Sequence, residues 1–479
     1  KSMTNNNYQH WQLNQDDDHI LWLSLDRQGQ SANTINHEVL DEFEQILDSM
    51  KDKMLQGLVI QSAKSKGFIA GADVKYFYKL DTNKEILAFL ERGQGVFQKL
   101  EDLTIPTVAL INSFSMGGGT ELALACRYRV ADEENASIGL PEVLLGIQPA
   151  WGGSVRLPKL IGATYALPMM LQGNAVKARR AKKIGLVDAA VPQRQLIRTA
   201  KHFIKNKTKK RPLSFLQQFI SLKPIRFLFA KYLRSQVGKK AQFDHYPAPY
   251  KIIEGWQNFG ANGKAAYRAE IDNIAYLIEQ HSSAKNLIRL FFLREQLKAF
   301  AKNKHDKPRR VHVIGAGVMG GDIAAWCAFC GFQVTLQDQS MDRIAPAIAR
   351  AHKLFSKKFK KQTRKITAAM DRLMPDVDGI GIKQADIIIE AVFEDLKVKR
   401  ELFKKLEQQA KSTAILATNT SSIPLDEINT VLKESARLIG IHFFNPVAQM
   451  QLVEVVTGEK TDPVVIEKAT AFVGRINRL

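Results

Sequence analysis

Residues 309–338 read RRVHVIGAGVMGGDIAAWCAFCGFQVTLQD, and this stretch decides the fold of the second half of the chain. A β-rich strand leads into Gly315, Gly317 and Gly320, a helix follows, and the next strand ends at Asp338. Such a glycine pattern alone is a weak signal. In the order strand, turn, helix, strand and acid it predicts a Rossmann domain with a dinucleotide at the helix N-terminus. Asp338 would bind the ribose hydroxyls and favour NAD over NADP, because a carboxylate repels a 2′-phosphate.

The segment after this stretch continues the pattern of a parallel sheet. Apolar runs at 386–390, 413–417 and 437–441 are typical of buried strands. His442 ends the last of these runs, and Glu454 lies 12 residues further on in another β-rich run. A histidine suits removal of a hydroxyl proton, and a carboxylate partner fixes its tautomer. Out of this context a histidine at a strand end is more often structural, so the assignment depends on the dinucleotide motif before it.

The first half of the chain also alternates strands and helices. The runs 20–25, 57–61 and 107–111 are β-rich, and the segment 36–50 has helical periodicity. This alternation predicts an α/β domain that ends near Pro192.

The chain therefore divides into three regions. We predict an α/β domain over residues 1–192, a basic helical extension over 193–306 and the Rossmann domain over 307–479. Within the extension, residues 269–302 have the periodicity of one long helix that would connect the two domains.

A second glycine-rich turn, residues 116–120, opens an apolar helix that carries Glu121. Amides at such a helix start would stabilise a carbonyl oxygen that gains negative charge, and the turn 69–73 would supply a second donor. Glu142 follows in another glycine-rich segment, and two carboxyls around one substrate can divide acid and base roles. The alternative is that these turns are only structural and that the glutamate caps its helix.

Four motifs in this half resemble the crotonase (enoyl-CoA hydratase) superfamily. They read FIAGADV, INSFSMGGGTELALAC, IGLPEVLLGIQPAWGGSVRLP and KKIGLVDAAV, beginning at residues 68, 111, 138 and 182. The resemblance implies a ββα spiral and a coenzyme A thioester as substrate. The amides of Ala72 and Gly118 would bind the thioester oxygen, Glu121 would deprotonate water, and Glu142 would exchange the proton at the α-carbon. The interval between the glutamates is one residue longer than is usual, and we expect the turn 132–135 to accommodate it.

The second half resembles 3-hydroxyacyl-CoA dehydrogenases through GAGVMG, EAVFEDLKVKRELF, NTSSIP, GIHFFNPV and LVEVV, which begin at residues 315, 390, 419, 440 and 452. The resemblance implies His442 as catalytic base, Glu454 as its partner, and Ser421 and Asn445 as substrate contacts. It implies NAD contacts from Gly315, Gly317, Met319, Gly320, Asp338, Glu394 and Lys399. Asp322 stands where small residues are usual, so its carboxylate must point away from the pyrophosphate. We expect the P-G-F-x-x-N-R segment and the helical domain of this family after Leu479, and without them NAD binding with weak dehydrogenation.

The order of the two halves resembles the α-subunits of fatty acid β-oxidation complexes. The resemblance implies hydration of a trans-2-enoyl-CoA followed by NAD-dependent oxidation of the L-3-hydroxyacyl-CoA. It also implies a thiolase β-subunit as partner and a bacterial-type cytoplasmic location. Two alternatives stay open, namely enoyl-CoA isomerase activity in the first domain and a non-catalytic scaffold that binds acyl-CoA or membranes.

The formal net charge of +21 suits phosphate-bearing ligands such as acyl-CoA and NAD. Much of the excess lies in residues 201–240, which hold 12 Lys or Arg and no acid and mix these with apolar residues, so peripheral membrane contact is a further expectation. Among the possible partners, nucleic acid is the least expected, because no basic motif is interleaved with aromatic residues.

The three cysteines, Cys126, Cys327 and Cys330, lie in apolar stretches without the spacing of a metal site, so we expect no metal and a reducing compartment. No secretory signal or apolar span of 18 residues is visible.

Overall fold

The computed structural model describes residues 8–50, 54–79, 82–300, 308–360 and 362–479. It divides the chain into two compact units, residues 1–291 and 292–479. Each unit has its own sheet, as the two alternating patterns in the sequence predict.

The first unit contains a six-stranded sheet and a three-stranded sheet. The larger sheet has the order β1-β2-β3-β4-β6-β9, in which only the β1–β2 pair is antiparallel. The smaller sheet has the order β5-β7-β8. The strands are β1 Trp11–Gln15, β2 Ile20–Leu25, β3 Gly57–Ser62, β4 Thr107–Ile111, β5 Phe114–Met116, β6 Tyr128–Asp132, β7 Ser137–Gly139, β8 Val176–Lys177 and β9 Ala189–Val191.

Helices surround these sheets and continue past the last strand. They are α1 His37–Ser49, α2 Val74–Lys79, α3 Asn83–Glu101, α4 Gly118–Ala125, α5 Gly153–Ile161, α6 Ala163–Gln172, α7 Ala178–Ile184, α8 Leu196–Asn206, α9 Phe215–Ile220, α10 Lys223–Gly238, α11 Ala248–Phe259, α12 Lys264–Glu279 and α13 Ser283–Phe300, of which α13 contains the boundary between the units. The predicted strands 20–25, 57–61 and 107–111 and the predicted helix 36–50 are confirmed within one residue at each end. Between β6 and β7, the Asp132 carboxylate accepts hydrogen bonds from the amides of Glu134 and Asn135 at 2.9 and 3.0 Å and closes the turn.

The first helix of the predicted extension, α8, packs against the larger sheet of the first unit. Leu196, Ala200 and Ile204 of α8 are buried in one apolar cluster with strand residues such as Val108 and Tyr128. The boundary between the two compact units lies at residue 291. The division into three regions at residues 192 and 306 stays a prediction.

The prediction of one helix over 269–302 is wrong, because the chain leaves the helix between α12 and α13. Ser283 at the start of α13 donates its hydroxyl to the carbonyl of His245 at 2.7 Å. The Ser282 carbonyl accepts the first bond of the new helix from the Asn286 amide at 2.9 Å. Serine favours helix starts over helix interiors, because its hydroxyl competes for backbone partners. Lys302, the end of the predicted helix, lies outside the described residues.

The second unit has a seven-stranded sheet of order β12-β11-β10-β13-β14-β15-β16, which is parallel except for the β15–β16 pair. Its strands are β10 Arg310–Ile314, β11 Gln333–Gln337, β12 Leu373–Pro375, β13 Ile387–Glu390, β14 Ile415–Thr418, β15 Leu438–Phe443 and β16 Val453–Val456. Its helices are α14 Val318–Phe329, α15 Met341–Lys358, α16 Thr363–Met370, α17 Leu396–Gln409, α18 Leu425–Asn429 and α19 Pro463–Arg475. This is the doubly wound arrangement that the glycine motif predicts. Among the described residues, none of the helices combines the length and hydropathy that crossing a bilayer requires.

Candidate active sites

Two backbone amides lie side by side in the first unit. Ile35 donates to the Gly71 carbonyl and accepts from the Asp73 amide, at 2.9 and 2.8 Å, so the amide of Ala72 between them points away from this ladder. Gly118 is the first residue of α4, where an amide has no partner within its own helix. A Cβ built on Gly118 would lie 3.2 Å from the Ala72 nitrogen, so the two residues are neighbours in the wall of one cavity.

Glu121 lies one turn into α4 and is 3% exposed. Its Oε1 accepts hydrogen bonds from the amides of Trp151 and Gly153, both at 2.8 Å. Oε1, which accepts both bonds, therefore faces the backbone of Trp151 and Gly153. The other oxygen of Glu121, Oε2, is left for a substrate or water.

Glu142 begins a short 3-10 helix, Glu142–Leu145. Both carboxyl oxygens are buried, and neither has a hydrogen-bond partner among the described residues. A Cβ built on Gly117, next to the amide pair, would lie 3.1 Å from the Glu142 Oε1. A buried carboxyl without partners is costly unless it is neutral or meets a ligand.

One cavity of about 110 Å³ connects these groups. It brings together all four residues that the sequence assigns to the first site, namely Ala72, Gly118, Glu121 and Glu142. The rest of its wall is mostly apolar and consists of residues such as Phe89, Leu145, Ile147, Trp151, Ile274 and Ile288. An apolar cleft with a few converging polar groups is typical of a small-molecule site.

Burial sets the proton affinity of the two glutamates. It raises the pKa of Glu142 to about 8, and the charge of Glu270 adds to this. Burial and the charges of Glu142 and Glu270 also raise the pKa of Glu121, whereas the amides of Gly153 and Trp151 lower it. Because these amides donate to Glu121 alone, we infer that a charge shared by the pair lies on Glu121 and the proton on Glu142.

Sequence reasoning missed the contribution of α12 and α13 to this cavity. Ile274 and Ile288 line it, and Glu270 of α12 is buried beside the turn that binds Glu121. The signal was present in the sequence. Glu270 is the acid on a helical stripe whose other members, such as Ala266 and Ile274, are apolar and buried.

The second unit presents the glycine turn 315–320 at the carboxyl end of β10. Gly315 has φ of +98°, and a Cβ there would meet the Ala391 carbonyl. A Cβ on Gly317 would point into open space at the start of α14. The turn thus packs against the protein at Gly315 and leaves free space at Gly317, where a dinucleotide pyrophosphate could approach the backbone.

Two acids lie close to this turn. The Asp338 Oδ2 accepts the amide of Ala316 at 2.8 Å, which ties the end of β11 to the turn. Asp322 forms an ion pair with Arg350 at 3.3 Å, and Arg350 also donates to the Gly317 carbonyl at 3.0 Å. The Asp322 carboxylate is therefore neutralised by a neighbour.

His442 and Glu454 lie opposite each other in the β15–β16 register. The His442 Nδ1 lies 2.8 Å from the Glu454 Oε2. An ionised carboxylate only accepts, so Nδ1 carries the hydrogen and Nε2 keeps its lone pair. This tautomer leaves Nε2 able to take a proton from a substrate.

Loops at the same end of the sheet carry the remaining predicted residues. Glu394 Oε1 accepts the amides of Ser421 and Ser422 at 3.0 and 3.3 Å. Despite partial burial, its bonds to Thr420 and the nearby Lys399 charge lower the pKa of Glu394 to about 2.

Lys399, predicted as a cofactor contact, is 1% exposed and points into the protein. Its Nζ lies 2.6 Å from Glu390 Oε1 and 3.3 Å from Glu394 Oε2. It therefore supports Glu394, while Asn445 and Ser421 are exposed at the loop ends. Met319 follows Val318 in the first turn of α14.

Comparison with known proteins identifies both units. Residues 16–267 match the family Enoyl-CoA hydratase/isomerase, and residues 310–479 match the NAD binding domain of 3-hydroxyacyl-CoA dehydrogenase. The chain is 37% identical to the fatty acid oxidation complex subunit alpha of Vibrio cholerae serotype O1, over 95% of this chain and 66% of that one. It is also 37% identical to the subunit of the same name from Shewanella baltica, over 96% of this chain and 67% of that one.

The chain thus spans about two thirds of the length of the curated relatives it matches. Within that span the two family matches follow each other in the order of the two structural units. The chain belongs to the fatty acid oxidation complex subunit alpha family and joins an enoyl-CoA hydratase/isomerase domain to the NAD binding domain of a 3-hydroxyacyl-CoA dehydrogenase.

Proposed function

We propose that the first unit adds water to trans-2-enoyl thioesters of coenzyme A in fatty acid β-oxidation. The supporting observation is one cavity that is lined by Ala72 and Gly118 and by two glutamates of opposite hydrogen-bond status. Glu121 Oε1 accepts two backbone amides, whereas the buried oxygens of Glu142 have no partner among the described residues. In this mechanism the amides of Ala72 and Gly118 bind the thioester oxygen and stabilise the enolate that forms. Glu121 takes a proton from water as its oxygen bonds to C3, and Glu142 delivers a proton to C2.

The second unit would oxidise the L-3-hydroxyacyl product. NAD bound at the turn 315–320, in contact with Asp338, would supply the hydride acceptor for the hydrogen on C3. His442 Nε2 would take the hydroxyl proton, and Glu454 would stabilise the imidazolium that results. Ser421 and Asn445, exposed on the same side, would contact the substrate oxygens.

An assay with crotonyl-CoA tests this proposal. We expect loss of the enoyl absorbance on addition of the protein, followed by NADH fluorescence when NAD is added. Binding of the thioester without loss of absorbance would instead support a non-catalytic scaffold. The wild-type protein and Glu121→Gln, compared at equal concentration, separate enzymatic hydration from contamination.

Isomerisation of 3-enoyl thioesters is the second candidate for the first unit. Glu142 favours it, because a carboxyl without protein partners can carry a proton between C2 and C4 of one substrate. Incubation with 3-hexenoyl-CoA, with detection of 2-enoyl and 3-hydroxy products, distinguishes the two reactions. Isomerisation alone transfers no oxygen from ¹⁸O-labelled water to the product.

We also propose a thiolase β-subunit as partner in a cytoplasmic complex, and peripheral membrane contact through residues 201–240. The relatives bear the name of a complex subunit, which supports a partner. On α9 and α10, Phe215 and Leu228 are 84% and 67% exposed among basic residues such as Lys223, a combination that suits an anionic lipid surface. Co-sedimentation with anionic and with neutral vesicles tests the membrane contact, and equal binding to both would contradict it.

A further inference from the structure

The turn Trp151–Ser154 is held from the side of α12 by a carboxylate without an assigned role. Glu270 Oε2 accepts the amide of Gly152 at 2.8 Å and the side-chain amide of Gln94 at 3.0 Å. Its Oε1 accepts the amide and the hydroxyl of Ser154 at 2.8 and 2.7 Å. Four donors therefore fix one carboxylate that is only 1% exposed.

The same turn gives its other two amides to Glu121. The amides of Trp151 and Gly153 bind Glu121 Oε1, so successive residues of the turn alternate between the two carboxylates. A shift of the turn toward or away from Glu270 would carry the Glu121 oxygen with it. The position of Glu121 in the cavity therefore depends on a residue of α12.

Burial raises the pKa of Glu270 to about 7, although the hydrogen bond from Ser154 and the charge of Arg156 lower it. The Arg156 guanidinium is also engaged with Glu101 at 2.7 Å and with the Trp151 carbonyl at 2.7 Å. Tyr267 lies 5.2 Å from that guanidinium and is neutral at ordinary pH, since burial raises its pKa to about 12. Gln94 and Ser154 are uncharged donors to Glu270, whereas the carboxyls of Glu121 and Glu142 interact with it as like charges.

We propose that Glu270 is a positioning residue for hydration, which holds the Trp151–Ser154 turn and, through it, the catalytic base Glu121; this inference rests on the hydratase function proposed above. It does not touch the substrate, because its oxygens are filled by protein donors. Its second effect is electrostatic. The charge of Glu270 raises the pKa of both Glu121 and Glu142, so it moves the pH range in which one is ionised and the other protonated.

The test compares the pH dependence of crotonyl-CoA hydration in three variants of the whole protein. Glu270→Gln keeps the shape of the side chain but removes the charge. Its amide group replaces one carboxylate oxygen and cannot accept the two hydrogen bonds that this oxygen accepts. We expect kcat/KM to fall about tenfold or more. The basic limb of the pH profile, where Glu270 is charged and Glu142 loses its proton, should move to lower pH by about half a unit or more. Glu270→Asp keeps the charge, so we expect a lower rate with an unshifted profile. Glu279→Gln, an exposed change on the same helix, is the matched control and should behave as wild type.

A profile of Glu270→Gln that overlays the wild-type profile, with kcat/KM within about twofold, would overturn the proposal. If Glu270→Gln does not fold, Ser154→Ala removes one donor to the same carboxylate and should still lower kcat severalfold with KM unchanged; an unchanged kcat would refute the positioning role. A purely structural role would lower the melting temperature without moving the profile. Absence of hydration in the wild-type protein would refute the hydratase function and is thus a distinct result.

Discussion

Replacement of Glu121 by glutamine separates catalysis from folding at this site. Within the described part of the chain, Glu121 accepts hydrogen bonds through Oε1, from Trp151 and Gly153. The glutamine oxygen can therefore keep both bonds while its amide group takes the place of Oε2 in the cavity. The change also removes a charge whose burial raises the pKa of the carboxyl. We therefore expect Glu121→Gln to be folded and at least as stable as wild type.

The loss of activity follows from the removal of the base. General base catalysis contributes about 10²–10⁴-fold, so kcat for hydration should fall by that factor, which corresponds to about 2.7–5.5 kcal/mol in the activation free energy. KM should change little, because the amides of Ala72 and Gly118 still bind the thioester. The assay is the loss of crotonyl-CoA absorbance at saturating substrate, with thermal unfolding measured on the same preparation.

Glu134→Gln, an exposed change in the turn after β6, is the control and should leave both quantities unchanged. A kcat of Glu121→Gln within tenfold of wild type would refute the assignment of Glu121 as base. A large fall in the melting temperature would refute the hydrogen-bond argument, since the glutamine would then have lost the two amides.

Three further predictions concern other charged groups. Folding raises the pKa of Glu142 from 4.5 to about 8, so the native state binds an extra proton between these values and the free energy of unfolding should fall as pH rises across this range. Urea unfolding at several pH values should show a smaller fall for Glu142→Gln, and equal slopes would contradict the assignment. His442→Asn should lower 3-hydroxybutyryl-CoA oxidation by about 10²–10⁴-fold with hydration unchanged; loss of both reactions would contradict separate sites. Lys399→Ala leaves Glu390 buried without its partner, so urea unfolding should show a loss of about 3–5 kcal/mol, and a loss below about 1 kcal/mol would argue against a buried ion pair.

Local sequence patterns were sufficient to predict those elements whose backbone conformation depends on their own residues. The strand at 107–111 and the turn 315–320 were predictable because β-rich runs and glycine spacing constrain the backbone directly. The pairing of His442 with Glu454 was implied by the resemblance to 3-hydroxyacyl-CoA dehydrogenases, and the antiparallel register of β15 and β16 places the two residues opposite each other. Their catalytic roles stay predictions until the variants are assayed.

Features that depend on long-range contacts were not predictable in this way. Glu270 lies 118 residues from Gly152, and no local pattern shows that the two form a hydrogen bond. The break between α12 and α13 depends on a bond from Ser283 to His245, 38 residues earlier in the chain. Periodicity reports which face of a helix is buried, but it does not report what that face contacts.

The environments of Glu142 and Glu454 show how one side-chain type takes opposite roles in the two units. The Glu142 oxygens are buried and have no donor in the part of the chain that the structure describes, so the neutral form is favoured and the residue can give a proton. The Glu454 side chain is 53% exposed and accepts a hydrogen bond from His442, so it can stabilise an imidazolium. Exchange of these environments would exchange the roles, since a solvated Glu142 would already be ionised at neutral pH and could not give a proton. Exposure and donor count, more than residue type, therefore decide which carboxyl acts as an acid and which as an electrostatic partner.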